Sequence, residues 1–232
     1  MSDWVDPKVD LPFNDFIIDC EALSTHSQSI VVDLSAIAFN SDLSVIETFD
    51  ELVNNGIKIK FQITSQKERG RVSTSSTIAW WKTQPPEVRQ ALIPTKEDVT
   101  IEEGLDMFRA YLAKHRVNPK EAHGYCRGQS YDFPILSSLL RDEQRAKGIA
   151  DYDIDTVKLE PCLFFNQRDI RTAIESMLLT RGITQTPMPD GVLDGFIAHN
   201  SIHDCAKDIL MLKYAYAYAT GSIEPPTNKE TT

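Results

Sequence analysis

An Asp-x-Glu pair follows a short apolar run near the N-terminus of the chain. Residues 16–18 are apolar, Asp19 comes directly after them, and Glu21 follows one residue later. Successive side chains of a β-strand point to opposite faces, so Asp19 and Glu21 are expected on the same face. Two neighbouring carboxylates repel each other unless a cation lies between them, and a divalent ion with oxygen ligands is the usual partner. The pair therefore indicates a cation site, the alternative being a polar strand end that faces water.

Two further acids lie at the starts of predicted helices. Asp132 begins a helix in the middle of the chain, and Asp204 lies in the first turn of the C-terminal helix, five residues after His199. The helix macrodipole alone favours an acid at such a position, so neither residue establishes a site by itself. Together with the first pair they make four carboxylates, which suffice to hold two divalent cations.

Histidine is the candidate general base, because its ordinary pKa lies near neutral pH. Two pairs share the five-residue spacing, His199 with Asp204 and His203 with Asp208. Five residues of helix turn about 500°, which leaves the two side chains about 140° apart, so a cooperating histidine must lie on the loop before the helix. Ser201 resembles a helix N-cap. This arrangement places His199 on the loop and favours it as the base, with Asp208 in a supporting position.

The two histidines are also four residues apart, which is the spacing of zinc ligands in the H-E-x-x-H motif. The residue after His199 is Asn200 rather than the catalytic glutamate of that motif. A zinc site is therefore the weaker alternative.

The ordered motifs resemble the DEDD exonucleases, specifically the branch that carries a histidine. That family has Asp-x-Glu on its first strand, an aromatic residue followed by Asp on a mid-chain helix, and His-x-x-x-x-Asp near its C-terminus. The resemblance runs from about Phe13 to Tyr218. It implies a 3′-to-5′ exonuclease that depends on two Mg²⁺ or Mn²⁺ ions and releases mononucleotides from the 3′ end of single-stranded nucleic acid, with DNA the expected substrate.

The resemblance also implies roles for the individual side chains. Asp19 bridges both metal ions, Glu21 and Asp204 hold the first ion, and Asp132 helps to hold the second. His199 is the general base. The all-oxygen ligand set suits magnesium or manganese.

The sequence departs from the family pattern at two places that contact substrate in relatives. In many relatives the first motif is followed by a hydroxyl residue or a glycine, which this chain lacks after Glu21. Leu23 is either an apolar wedge against the terminal base or a packing residue. Many relatives have Asn shortly before the second motif, where this chain has Gly128. Arg127 or Gln129 is expected to replace that contact.

Five more residues are candidates for holding the strand. Trp80 and Trp81 could stack on bases; we expect one to pack inward and the other to be free, and take Trp81 as the substrate contact. Lys67, Arg69 and Arg71 lie in a polar segment over residues 64–77. They are predicted to form a basic loop that guides the strand, the alternative being a solubilising loop.

Composition fits one soluble globular domain over residues 1–232, with an extended lead-in over 1–12 and a flexible tail over 222–232. The net charge of −10 argues against broad, non-specific coating of DNA. No apolar stretch of membrane-spanning length and no signal pattern occur, which predicts a cytoplasmic protein. The cysteines have no paired spacing and are expected to be buried free thiols; they are Cys20, Cys126, Cys162 and Cys205.

Periodicity predicts alternating strands and helices. Strands are expected near 15–20, 30–39, 45–53, 122–126 and 161–165, and helices from about 76 and over 101–116, 131–145, 168–181 and 201–218. The first three strands are joined too tightly for helical crossovers, so they should be antiparallel. The family resemblance implies a ribonuclease H-like α/β fold, with a mixed five-stranded sheet and helices on both faces.

Two other functions remain open. An exoribonuclease of the oligoribonuclease kind would carry the same motifs, because the choice between DNA and RNA depends on the space near the sugar 2′ position. A non-catalytic nucleic-acid-binding module would be expected to have lost a carboxylate or the histidine, and all five residues are present.

Overall fold

The computed structural model describes residues 14–226, and the predicted lead-in over 1–12 and the end of the predicted tail lie outside the described residues. A five-stranded sheet forms the centre of this region. Its strands are β1 (Asn14–Ala22), β2 (Val31–Asn40), β3 (Ile57–Lys60), β4 (Gly124–Cys126) and β5 (Gln167–Asp169). Their order across the sheet is β3-β2-β1-β4-β5. Strand β2 is antiparallel to both β1 and β3. Strand β4 is parallel to β1, and β5 is parallel to β4.

Helices cover both faces of the sheet, and the predicted mixed five-stranded α/β architecture is confirmed. They are α1 (Phe49–Asn55), α2 (Ile63–Glu68), α3 (Ser75–Thr83), α4 (Pro86–Arg89), α5 (Ile101–Lys114), α6 (Asp132–Ala146), α7 (Ile170–Leu178) and α8 (Ser201–Thr220). One core cluster joins α5 and α6 to residues such as Ile18 and Leu34. The other joins α1, α7 and α8 to Ile17 and Ile37. Alternation along β1 and β2 thus divides the core between two layers.

The predicted third strand over 45–53 is wrong. A capping box forms there, because the Thr48 hydroxyl accepts from the Glu51 N–H while the Glu51 carboxylate accepts from the Thr48 N–H. Phe49 and Leu52 then share the buried face of α1, and the strand begins only at Ile57. A helix therefore connects β2 and β3, so the first three strands are antiparallel as predicted but are not joined as tightly as we assumed.

The predicted fifth strand over 161–165 is also wrong. Phe164–Asn166 forms a 3-10 turn with both phenylalanine rings exposed, and β5 follows it. The cysteines are confirmed as buried free thiols, all four lying within the described region. Among the described residues no helix is both long and apolar enough to cross a membrane.

Candidate active site

The end of β1 carries the first acidic pair. Ile17 packs toward α8 while Cys20 packs toward α6, so alternation places Asp19 and Glu21 on the α8 side of the sheet. Both acids line a cleft of about 440 Å³. The other residues lining this acidic cleft are Cys20, Ala22, Thr25, Ser76, Thr77, Trp80, Arg127, Tyr131 and Asp132.

Asp132 is tied directly to β1. It is the first residue of α6, and its Oδ1 accepts a hydrogen bond from the Cys20 backbone N–H at 3.0 Å. Its Oδ2 is buried and finds no hydrogen-bond partner among the described residues. Leaving a buried carboxylate oxygen unpaired is costly, so this oxygen fits a cation ligand.

The loop before α8 and the first turn of that helix carry the two remaining candidate residues. His199 lies on the loop, two residues before the helix, and Asp204 lies in its first turn. Ligand atoms of Glu21, His199 and Asp204 all lie within 4.8 Å of one another. The backbone of His199 has φ of 61°, a left-handed conformation that is uncommon for a residue other than glycine.

Burial and mutual repulsion raise the pKa of the clustered acids. The pKa of Asp19 is well above its usual range because of burial and of the charges of Asp132 and Glu21. Burial, with help from Asp33 and Asp204, raises the pKa of Glu21 to about 8. Burial raises the pKa of Asp132 to about 7. In the absence of a cation, the carboxyl groups of the site therefore keep protons near neutral pH. A hard divalent cation fits this site, because it prefers the oxygen donors that the deprotonated carboxylates offer.

The second histidine, His203, makes packing and hydrogen-bond contacts with its neighbours. His203 lies on α8, its Nδ1 accepts from the Ile197 N–H at 3.1 Å, and its ring meets the Phe49 ring edge-on at 5.3 Å. Burial lowers the pKa of His203. Ser201 does not cap α8 as expected: Asn200 is the cap residue and Ser201 is the first helical residue. His199 nevertheless lies on the loop, beside the acids.

Arg127 lines the acidic cleft but is held from behind. Its guanidinium donates to both carboxylate oxygens of Asp208 at 2.6–2.9 Å. Asp208 is buried, and burial raises its pKa against the opposing effect of Arg127. The acid thus holds the arginine in place at the edge of the acidic cleft.

The choice of tryptophan requires correction. Trp81 is 1% exposed and donates from its indole to the Ala22 carbonyl at 3.1 Å, so it cannot stack on a base. Trp80 is 40% exposed, lines the acidic cleft and stands perpendicular to the His199 ring at 5.2 Å. Leu23 packs with Trp81, Ile30 and Val32 in a separate apolar cluster, which matches its packing alternative rather than the wedge.

The predicted basic loop is not one exposed surface. Arg71 is buried and pairs with Asp142 at 2.6 Å. Arg69 forms two hydrogen bonds with Glu102 at the start of α5. Lys67 is exposed, but it lies on α2 and borders a different, apolar cleft with Leu23. Two of the three cations are therefore engaged in ion pairs that join distant elements.

Sequence reasoning missed Asp33 and Lys58. Asp33 is fully buried and lies opposite Glu21 in the β1–β2 register. Lys58 lies 3.4 Å from its carboxylate. An acid inside the apolar run over 30–34 was a signal in the sequence, because such a residue needs a partner when buried. Its partner could not be read from local spacing.

Comparison with known proteins agrees with the motifs. Residues 14–216 match the family model described as the Rv2179c-like 3′-5′ exoribonuclease domain. An exodeoxyribonuclease of Enterobacteria phage T4 is 53% identical over 216 residues, which is 93% of this chain and 95% of that protein. The sequence outside the motifs also resembles exonuclease A of T-even bacteriophages. This resemblance and the one to the DEDD exonucleases are confirmed.

A solved nuclease structure shows the same fold. The crystal structure of cell-death related nuclease 4 (CRN-4) matches with a TM-score of 0.52 at 12% identity, over 87% of this chain and 63% of that chain. This chain thus spans less than two thirds of that structure. The nuclease domain of 3′hExo, a DEDDh family member bound to rAMP, gives a TM-score of 0.46 at 12% identity, over 95% of this chain and 98% of that one. The match to the CRN-4 structure, together with the strand order of the sheet, confirms the predicted ribonuclease H-like fold.

Proposed function

We propose that the chain, which belongs to the Rv2179c-like 3′-5′ exoribonuclease domain family, is a metal-dependent 3′-to-5′ exonuclease. Its proposed reaction removes mononucleotides from single-stranded DNA. The observation that carries the proposal is the meeting of four carboxylates and a loop histidine at the end of β1. The choice of DNA is supported by the T4 relative, which is named an exodeoxyribonuclease. The family description favours RNA, so an exoribonuclease is the second candidate.

The acids would hold two Mg²⁺ or Mn²⁺ ions. Asp19, Glu21 and Asp132 line the acidic cleft, Asp204 lies beside Glu21, and the unpaired Oδ2 of Asp132 completes the donor set. When bound, such ions make a water nucleophilic and offset the charge on the phosphate and on the leaving oxygen. The crowding that raises the pKa of Glu21 to about 8 supports this assignment, since a cation removes the repulsion.

The histidine would manage the proton. In the proposed reaction the water oxygen forms a bond to phosphorus, the bond to the 3′ oxygen of the preceding nucleotide breaks, and that oxygen takes up a proton. His199 would accept the proton of the attacking water. It is exposed, and its partners Glu21 and Asp204 lie close enough to orient it.

The strand would be held by residues around the acidic cleft. Trp80 offers an exposed ring for base stacking, which is worth roughly 1–3 kcal/mol per base. A second cleft of about 490 Å³ shares Arg127 and adds Arg171 and Lys207. We propose that this basic cleft, rather than the segment around Lys67, binds the phosphates that precede the scissile bond.

Arg171→Ala should raise KM on long single strands several-fold and flatten its dependence on salt, because fewer counterions are released on binding. Arg171 is suited to the test, since its side chain is 57% exposed and lies 3.7 Å from its ion-pair partner Asp169. The turnover number on saturating substrate should change little. Lys67→Ala is the matched comparison. A larger effect on KM from Lys67→Ala than from Arg171→Ala would return the strand path to α2.

The proposed function is tested by digesting 5′-labelled single-stranded DNA and RNA of one sequence side by side, with and without Mg²⁺. We expect a ladder that shortens from the 3′ end, only with Mg²⁺, and a higher kcat/KM for DNA. Asp19→Ala protein that is purified by the same procedure controls for contaminating nucleases. A preference for RNA would establish the exoribonuclease instead, and tight binding without any cleavage would indicate a non-catalytic module.

We also propose that residues 1–232 act as a single catalytic domain in the cytoplasm, which is that of the host cell if a phage encodes the chain. The similarity to a phage enzyme along 93% of the chain supports both points.

A further inference from the structure

A fifth carboxylate lies beside the four acids of the site. Asp33, on β2, is 0% exposed, and its Oδ1 accepts a hydrogen bond from the Ser201 hydroxyl at 2.5 Å. Its Oδ2 makes no hydrogen bond with the described residues but lies 3.4 Å from the Lys58 ammonium. A buried carboxylate is costly unless it is paired. Asp33 is therefore committed to Ser201 and Lys58.

Lys58 joins this buried acid to the loop before α8. It lies on β3 opposite Ser35 of β2, and its ammonium donates to the Asn200 side-chain oxygen at 3.1 Å. Ser35 contributes a second tie, because its hydroxyl lies 2.8 Å from the Ser201 hydroxyl. Two strands thus hold two consecutive residues, and the residue that precedes them is His199.

The loop needs such support. His199 has φ of 61°, and a residue other than glycine keeps such a conformation only when its surroundings enforce it. Asn200 occupies the cap position of α8, yet its side chain makes no capping hydrogen bond among the described residues. That side chain is given to Lys58 instead. The contact therefore serves the loop rather than the helix.

We propose that Asp33, Lys58 and Asn200 form a bridge whose role is to position His199 against Glu21 and Asp204. Lys58 is then a positioning residue: Asp33 anchors it, and it transmits the position to Asn200. The inference rests on the proposed function, because it assigns the bridge to the candidate base of that reaction. It adds three residues that lie outside the four-carboxylate and histidine set.

Lys58→Met tests the bridge, because it keeps the length of the side chain and removes its donor. Lys58 is exposed at the sheet edge, but the variant leaves the buried Asp33 without its cation, so its Tm is measured and Asn200→Ala, which keeps that pair, is the second variant. We expect kcat to fall about 10-fold to 100-fold, the cost of misplacing a catalytic group by about 1 Å, with KM unchanged. Asn200→Ala should reproduce the loss, and Lys58→Arg should recover part of it.

Lys60→Met is the matched control. Lys60 lies two residues further along β3, on the same face, and pairs with Asp98 at 3.2 Å rather than with the loop. Lys60 lies opposite Asp33 in the β2–β3 register, and its charge lowers the pKa of Asp33, but its ion pair is with Asp98. The variant should therefore leave kcat and KM within about twofold of the parent, because the contacts of Lys58 with Asp33 and Asn200 are kept.

The decisive comparison uses a His199→Ala background. If Lys58 acts through His199, then Lys58→Met should cost less than about twofold there, because effects that act through one group are not additive. Lys58 also lowers the pKa of Glu21, so it could instead act on the cations or the phosphate. In that case Lys58→Met would shift the Mg²⁺ activation constant or KM, or would cost as much without His199 as with it, and the bridge would be refuted.

An activity-independent readout separates this proposal from the proposed function. The chain has five histidines, and the His199 ring signal can be assigned in a ¹H–¹³C NMR spectrum by its loss in His199→Ala. Lys58→Met and Asn200→Ala should shift or broaden that signal, and Lys60→Met should not. An unchanged His199 signal in both bridge variants would overturn the bridge even if the exonuclease is fully active. A shifted signal in a protein without nuclease activity would refute the function and leave the bridge standing.

Discussion

Asp19→Ala is expected to reduce strand hydrolysis to the background of the assay. Asp19 is the acid that the others surround, since the charges of Asp132, Glu21 and Asp204 all raise its pKa. Removing it would take away one of the four carboxylates that we propose hold the cations, and with it the charge that the cations would supply to the phosphate. Single-turnover release of the 3′-terminal nucleotide, measured across a Mg²⁺ titration, gives the size of the loss.

Removing the charge of Asp19 should not damage the fold. The pKa of Glu21 is about 8 against an ordinary 4.5, so the folded protein binds more protons than the unfolded chain between these values. The stability of the metal-free protein must then fall as pH rises across that window. The pKa of Asp19 is also raised, by burial and by the charges of Asp132 and Glu21, so Asp19→Asn removes one acid that contributes to this decline. It should raise Tm at pH 8, by about 2–4 °C for each kcal/mol gained, and make the decline with pH less steep.

Asp106→Ala provides the control, because the Asp106 side chain is 77% exposed and pairs only with Arg109 among the described residues. It should keep activity and the pH dependence of Tm. Near-parental turnover by Asp19→Ala, or full parental activity in excess chelator, would refute the two-metal site. A loss of activity accompanied by a large fall in Tm would show a structural defect rather than a catalytic one.

His199→Ala should lower kcat by roughly 10²- to 10⁴-fold, the usual effect of removing a general base. The reason is its position: only this histidine shares a cluster with Glu21 and Asp204 among the described residues. Steady-state rates on one short DNA strand measure the effect.

His203→Ala is the matched comparison. His203 packs against Phe49 and receives a hydrogen bond from the Ile197 backbone, so its loss should lower Tm and leave kcat within about tenfold. If His203→Ala were the inactive variant while His199→Ala kept its turnover, the base would lie one helical turn further along α8 than we propose.

Local periodicity accounts for what could be predicted from the sequence. Asp19 and Glu21 share a face because strand side chains alternate, and His199 must precede α8 because a helix would turn it away from Asp204. Both relations depend on residues within a few positions of each other. The same holds for most element positions, although the capping box at Thr48 and Glu51 prevailed over the β-propensity of the segment around it.

Long-range pairing decided the rest. Which tryptophan is free depends on the carbonyl of Ala22, 59 residues from Trp81. Arg71 is not available to the strand because of Asp142, 71 residues away. Asp33 and Ser201 are separated by 168 residues. The sequence shows that a charged or aromatic side chain is present, but not which residue it contacts. The contact is determined when the sheet and helices pack, because a polar group that becomes buried without a partner destabilises the fold.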